Sequence, residues 1–228
     1  MYTDTQRFTE AEEIFKEALE IRRRLAQSNP HEYEPYVAKT LNNLSILYFK
    51  ARRFTESESM YKEALETYRR LAQSNPHVYE PYVAETLNYL AHLYSATQRF
   101  SESEAMYKET LEILHRLAQS NPQAYESMVA QTLGNMAFMV LFTKKYVEAE
   151  QYAREGLAID STKHFIYSNL AAALLFQGRY EEAEQIYRQY KDELKDSFLD
   201  DFKQYAEAGV IPEERKPDVE RIKRLLEE

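Results

Sequence analysis

The chain contains no cysteine, only four glycines and seven prolines among 228 residues, and fewer basic than acidic side chains. It also has no apolar run near the ~18 residues that a membrane-crossing helix needs. Each shortage excludes something. Without thiols there is no disulfide, no thiolate nucleophile and no cysteine-built zinc site, a composition that fits a reducing compartment. Few glycines and prolines suit long uninterrupted helices rather than an all-β chain. Lys and Arg number 29 against 38 Asp and Glu, a net charge of −9. That field repels phosphate backbones and anionic lipid, so neither nucleic acid nor a membrane surface is an expected partner. The first residues, Met1 to Arg7, carry no apolar signal-peptide core, which points to a cytoplasmic location.

What the chain has in abundance is itself. The phrase Arg-Leu-Ala-Gln-Ser-Asn-Pro stands at residues 24–30, 70–76 and 116–122, a step of 46 (70 − 24 and 116 − 70). A period of ~20–50 residues is the mark of a repeat array, in which each unit touches only its neighbours. Segments opening at Phe8, Phe54 and Phe100 follow the same step. In the second, Phe54, Ser57, Met60, Tyr61, Ala64, Leu65, Tyr68 and Leu71 recur at intervals of three and four, an amphipathic helical stripe with Glu and Lys opposite. Ser-Asn-Pro closes it, because proline biases its predecessor away from helical angles. Another helix is predicted over 36–52, with copies at 82–99 and 128–145, placing Pro35 and Pro81 in its first turn. The short links that follow make the paired helices antiparallel neighbours.

After Tyr146 the step shortens to 34 (180 − 146), with the missing residues taken from the region between repeats. A tail helix is predicted over 192–208, ending at Gly209, and a final one over 217–227 with Val219, Ile222, Leu225 and Leu226 inward. These two read as a cap over the open end of the array. The opposite end begins with the second helix of a pair, so the sequence is expected to be part of a longer repeat protein, or to have that end covered by another copy.

This spacing resembles tetratricopeptide repeats. Large residues stand at Leu41, Leu44, Tyr48, Phe54 and Tyr61 and small ones at Ser45, Ser57 and Ala64, and the pattern recurs down to Tyr167, Leu170, Ala171, Tyr180, Ala183 and Tyr187. The run from Thr40 to Tyr48 is similar to the longer-period repeats of kinesin light chains. The resemblance implies an all-α, right-handed superhelical solenoid of antiparallel helix pairs over residues 1–190, with C-terminal capping helices over 191–228. It departs from the family at Tyr190, where a small residue is usual.

The resemblance also implies where a ligand would lie. The first helix of each pair lines a concave face, which assigns peptide-binding residues Lys39, Asn42, Asn43, Asn88, Tyr89, His92, Asn135, Phe138 and Asn169. Asn43, Asn135 and Asn169 hold the place whose amide grips a ligand's main chain in peptide-binding relatives, and an amide can donate and accept at once. A solvated helix face is the alternative. The clamp that some relatives use for a terminal carboxylate needs basic flanks, and only Lys39 supplies one. Toward the C-terminal half the lining turns apolar through Phe138, Phe142, Phe165, Leu175 and Phe176, so either a ligand or the tail helices should cover it.

No phosphate loop, nucleophile elbow or zinc helix motif is present. The isolated Glu112/His115 pair lacks the second pair that a di-iron site requires. No metal, cofactor or catalysis is therefore expected. The expected function is a protein-interaction scaffold that binds a peptide or helix of another protein. The alternative is structural self-association through the N-terminal helix, whose Phe8, Ile14, Phe15 and Leu19 lack a cover.

Overall fold

The computed structural model describes the backbone of residues 2–228 and the side chains from Arg7 onward. Among the described residues the structure is helical, with no strand. The helices are α1 (Tyr2–Ser28), α2 (Pro30–Lys50), α3 (Phe54–Ser74), α4 (Pro76–Ala96), α5 (Phe100–Ser120), α6 (Pro122–Leu141), α7 (Tyr146–Ile159), α8 (Phe165–Phe176), α9 (Tyr180–Glu207) and α10 (Lys216–Glu227). They form two compact units, Met1–Ile113 and Leu114–Glu228. In the first, α1 packs on α2, α2 on α3 and α3 on α4; in the second, α6, α7, α8 and α9 pack consecutively, and α10 lies on α9.

The repeated phrase ends one helix and starts the next with a single residue between. Asn29, Asn75 and Asn121 adopt nearly the same extended geometry, with φ of −141°, −145° and −146°. The following prolines take the first helical position, where a missing N–H costs nothing. The predicted starts at 36, 82 and 128 are thus six residues late, and Pro35 and Pro81 lie inside their helices. The backbone bond each forfeits would have ended on the carbonyl of His31 or His77, both exposed, where water can serve it.

Within each pair the other link is a tight turn with one left-handed residue: Arg52 (φ 58°), Gln98 (60°), Lys144 (59°) and Gly178 (82°). These positions repeat the 46, 46, 34 spacing. The shortened last step is lost from helix rather than loop, since α7 and α8 have 14 and 12 residues where α3 and α4 have 21 each.

Close approach is organised by the small residues. Ser45, Ser57, Ala64, Ala91, Ser103, Ala137, Ala149, Ala171 and Ala183 are completely buried. Ser57 Oγ donates to the Ser45 carbonyl at 2.9 Å, and Ser103 Oγ to the Ala91 carbonyl at 2.8 Å, so the hydroxyls stay satisfied at the tightest contacts.

α9 keeps helical backbone for 28 residues, but it is not straight. At ~1.5 Å per residue, Tyr187 and Phe202 would stand about 22 Å apart along one axis. Their ring centroids are 5.5 Å apart, and Tyr187 meets Phe198 at 4.8 Å. The helix therefore doubles back between 187 and 198. Its first half runs antiparallel to α8, with Tyr190 stacked on Tyr167 at 4.2 Å and Glu193 at His164. Its second half returns along α8, bringing Asp201 to Ser168 and Tyr205 to Phe176. The tail helix predicted over 192–208 is joined to the last repeat with no residue of coil between. α10 matches its prediction, with Val219, Ile222, Leu225 and Leu226 buried.

Candidate protein-interaction surface

In the first unit the predicted lining residues sit on α2 and α4. Lys39 is exposed and Asn43 half-buried. Asn42 is buried, and its amide donates to Thr86 Oγ1 at 2.8 Å, riveting α2 to α4, while its Oδ1 has no partner. Asn88, the same place in the next copy, is half-buried. The Tyr89 ring stacks on Tyr61 at 5.8 Å, and its hydroxyl donates to Glu85 at 3.2 Å. Burial first, then the nearby Glu85 charge, pushes that hydroxyl's pKa up. His92 lies 5.1 Å from the Phe49 ring; the imidazole still reaches solvent, and desolvation by the surrounding walls lowers its pKa. It is thus neutral at pH 7, able to donate from one ring nitrogen and accept at the other. The face offers amide, phenol, imidazole and ammonium groups around an aromatic patch of Phe49, Phe54 and His92.

The second unit is arranged differently. Asn169 is buried, and its amide donates to the Gly134 carbonyl at 2.9 Å, tying α8 to α6. Gly134 makes that approach possible, since a Cβ there would stand 2.7 Å from Ile166 and Phe165 atoms. Asn135 accepts from Gln131 at 3.3 Å. Phe138 and Phe142 meet edge to face at 5.1 Å, and Tyr205 of the returning α9 sits against both, at 6.0 and 5.4 Å, and against Phe176 at 5.5 Å. The tail, not open solvent, covers the apolar half of the lining. Ser168 Oγ donates to Asp201, and Tyr146 donates to the Val210 carbonyl at 2.5 Å, fastening both ends of the returning segment.

Sequence reasoning missed a second repeated constellation. Arg53 bridges Glu12 and Glu56 while stacking at 4.2 Å on Tyr48, whose hydroxyl also reaches Glu12. Arg99 does the same with Glu58, Glu102 and Tyr94; Arg179 bridges Glu150 and Glu182, where Leu174 stands at the tyrosine's place and the Gln177 amide donates to Glu150 instead. The signal was available, for these residues recur at the repeat step. Two surface clefts of about 490 and 530 Å³ also repeat, lined by Leu19, Leu44 and Met60 and by Leu65, Leu90 and Met106, with Arg23 and Arg69, which pair with Glu63 and Glu109, among the other lining residues. Among the described residues no group of three or more His, Asp or Glu is placed to hold a metal, and no helix is long and apolar enough to cross a membrane.

A tetratricopeptide-repeat family model matches residues 1–70 and 36–116, and a second matches 166–189. The chain belongs to the tetratricopeptide repeat family. Solved structures of similar fold include BtubC (BKLC) from P. vanneervenii, 20% identical with a TM-score of 0.66, covering 96% of this chain and 92% of that one. A kinesin light chain-like repeat protein of Podosopora anserina is 16% identical, TM-score 0.63, over 84% of this chain and 92% of its own. The apo form of RapI is 17% identical, TM-score 0.62, over 90% and 74%. At these identities the likeness speaks for the fold alone. No curated protein matches the chain. As a tetratricopeptide repeat protein, it pairs its helices through the small residues above.

Proposed function

We propose that this tetratricopeptide protein is a non-catalytic scaffold in the cytoplasm, holding a peptide or short helix of a partner protein on the α2–α4 face. The observation that carries this reading is the contrast between the two units. The apolar lining of the second is filled by Tyr205, whereas Lys39, Asn43, Tyr89 and His92 present reachable polar groups beside aromatic rings. Asn43 suits main-chain recognition because a peptide unit needs a donor and an acceptor together. Tyr89 and His92 add flat contact area at low entropic cost. Residues 191–228 act as the cap. Asn135, Phe138 and Asn169 then serve the cap contact and the α6–α8 joint, and a partner engages them only on a face widened by tail movement. The test is recovery of a partner from the source cell by the full chain and by an Asn43→Ala/Tyr89→Ala variant. Loss of a partner from the variant supports the α2–α4 face. Equal recovery by both chains sinks it.

A further inference from the structure

Glu193 of α9 still lies at His164, beside the start of α8, while Phe198 is already back against Tyr187 at 4.8 Å. The reversal is therefore confined to residues 194–197, Leu-Lys-Asp-Ser, whose backbone stays helical. Sharp bends of a helix ordinarily sit at a proline, a glycine or a bulge in the hydrogen-bond ladder. No proline or glycine lies here, and leucine and lysine are good helix formers. The local sequence favours a straight α9, so the fold-back is imposed by the seat onto which the returning segment docks. Phe138, Phe142, Ser168, Phe176 and Tyr187 form that seat. α10 belongs to the same piece, for Arg221 lies over the Tyr180 ring at 4.4 Å. Residues 198–228 thus dock as a unit on residues that all precede the reversal.

We propose that residues 198–228 exchange between two copies of this chain, each copy's segment docking on the other's α6, α8 and first half of α9. Once residues 194–197 straighten, Phe202 stands about 22 Å along the helix axis from Tyr187, and the segment cannot reach its own seat. A second copy opened in the same way offers the identical seat. Every docking contact of the closed chain re-forms between the two chains, and straight helix replaces the bend. The lost freedom of joining two molecules opposes this, so concentration drives it. Exchange is slow, because opening first exposes Phe198, Phe202, Ile222 and Leu226, all buried in the closed chain. It does not depend on the α2–α4 reading. Its consequence, two such faces in one particle, favours a partner that carries the bound segment twice.

The lack of cysteine allows a direct test. Ser168 and Asp201 meet across the seat, so Ser168→Cys/Asp201→Cys supplies an oxidisable pair there. The full chain carrying it is unfolded, refolded at low and at high concentration, oxidised and run on a denaturing gel without reductant. The new disulfide lies within one chain in the monomer and joins two chains in the exchanged dimer. Covalent dimers from the concentrated sample are expected, and sedimentation of the parent chain refolded the same way should show the same dimer. Asp196 and Ser197 are exposed, and changing both to alanine favours the straight helix at each of the dimer's two hinges. That variant should raise the association constant roughly tenfold. Asp196→Pro, which obstructs a straight helix at the Asp192 carbonyl, should lower it by at least as much. Monomers at every concentration in both the parent and the alanine variant overturn the proposal. So do dimers whose introduced disulfide stays within each chain, and so does an association constant that the alanine variant leaves unchanged.

Discussion

Ser168 on α8 donates its hydroxyl hydrogen to Asp201 on the returning half of α9, and this is the one hydrogen bond recorded for that carboxylate among the described residues. Burial raises the Asp201 pKa to about 6, against the lowering effect of the Ser168 bond. Tyr205, one turn further on, is buried with no partner for its hydroxyl. The tail therefore docks at a polar cost that rings at Phe138, Phe142 and Phe176 offset.

A pH dependence follows from Asp201. Its folded-state pKa lies above the ordinary 3.8, so the folded protein favours the protonated acid. No penalty exists below the unfolded value; it grows as pH rises from there toward 6 and is complete above it. The second unit should lose about 2–3 kcal/mol of stability across that window, which is roughly two pKa intervals at ~1.4 kcal/mol each. Asp201→Asn keeps an acceptor for Ser168 and should recover most of that loss at pH 7.5. Urea unfolding at pH 5 and 7.5 checks it, and an unchanged difference between the two pH values in the variant would refute the assignment to Asp201.

The arginine ladder makes a different prediction. Burial pushes the Glu58 carboxyl up, but hydrogen bonds from Arg99, Lys62 and Tyr94 outweigh it and hold the group below the usual value. Arg99 is a third exposed, so its ion pairs alone are worth little; the fork onto two glutamates with the Tyr94 ring beneath makes the difference. Arg99→Ala should cost about 1–2 kcal/mol, and Arg99→Lys should recover less than half, because an ammonium cannot span both carboxylates and stack. A double-mutant cycle with Glu58→Gln should return a coupling of about 0.5–1 kcal/mol. Zero coupling would mean that the bridge is decorative.

The left-handed turn residues offer a stabilising change. Arg52, Gln98 and Lys144 hold positive φ where the last repeat has Gly178. A residue with a Cβ pays ~1–2 kcal/mol for that conformation; glycine removes this strain, and the greater entropy it gives the unfolded chain takes back part of the gain. Gln98→Gly should raise stability by about 0.5–1 kcal/mol. Gly178→Ala should lower it, since the new Cβ would also stand 2.7 Å from the Arg215 guanidinium. Thermal unfolding of both variants reads the signs; a destabilised Gln98→Gly protein contradicts the strain argument.

These contacts divide into what the sequence could and could not announce. The 46-residue step was plain from the repeated Arg-Leu-Ala-Gln-Ser-Asn-Pro, and the spacing of Ser45, Ser57 and Ala64 marked the close contacts, because packing imposes residue size at fixed intervals. The helix starts at Pro30, Pro76 and Pro122 were hidden because proline serves equally as a terminator and as a first helical residue. The reversal of α9 had no warning either: no proline or glycine lies between 187 and 198. It is held by Tyr190 on Tyr167 and Phe198 on Tyr187, contacts between residues whose meeting depends on the bend itself. Asparagine was the least legible. The same amide that can hold a ligand's main chain instead joins helices at Asn42 and Asn169, and nothing local separates them from half-buried Asn43.

Gly134 shows how tightly one such joint is drawn. Alanine is the better helix former by ~1 kcal/mol, so on an exposed face Gly134→Ala would stabilise. Here the added Cβ would lie 2.7 Å from Ile166 Cγ1 and from the Phe165 ring. Phe165 is half-buried and can swing aside, but Ile166 is fully buried on the underside of α8 and has no room to retreat. α8 must then shift away from α6, lengthening the Asn169 bond to the Gly134 carbonyl and loosening the seat of Tyr205 on Phe142 and Phe176. Overpacking of this kind costs ~1–3 kcal/mol, more than the propensity gain. The net loss should be about 1–2 kcal/mol, with faster amide hydrogen exchange in α8 and in residues 198–207 while α2 and α3 keep their protection. A variant as stable as the parent, with unchanged exchange in α8, would show that the α6–α8 joint is softer than its geometry implies.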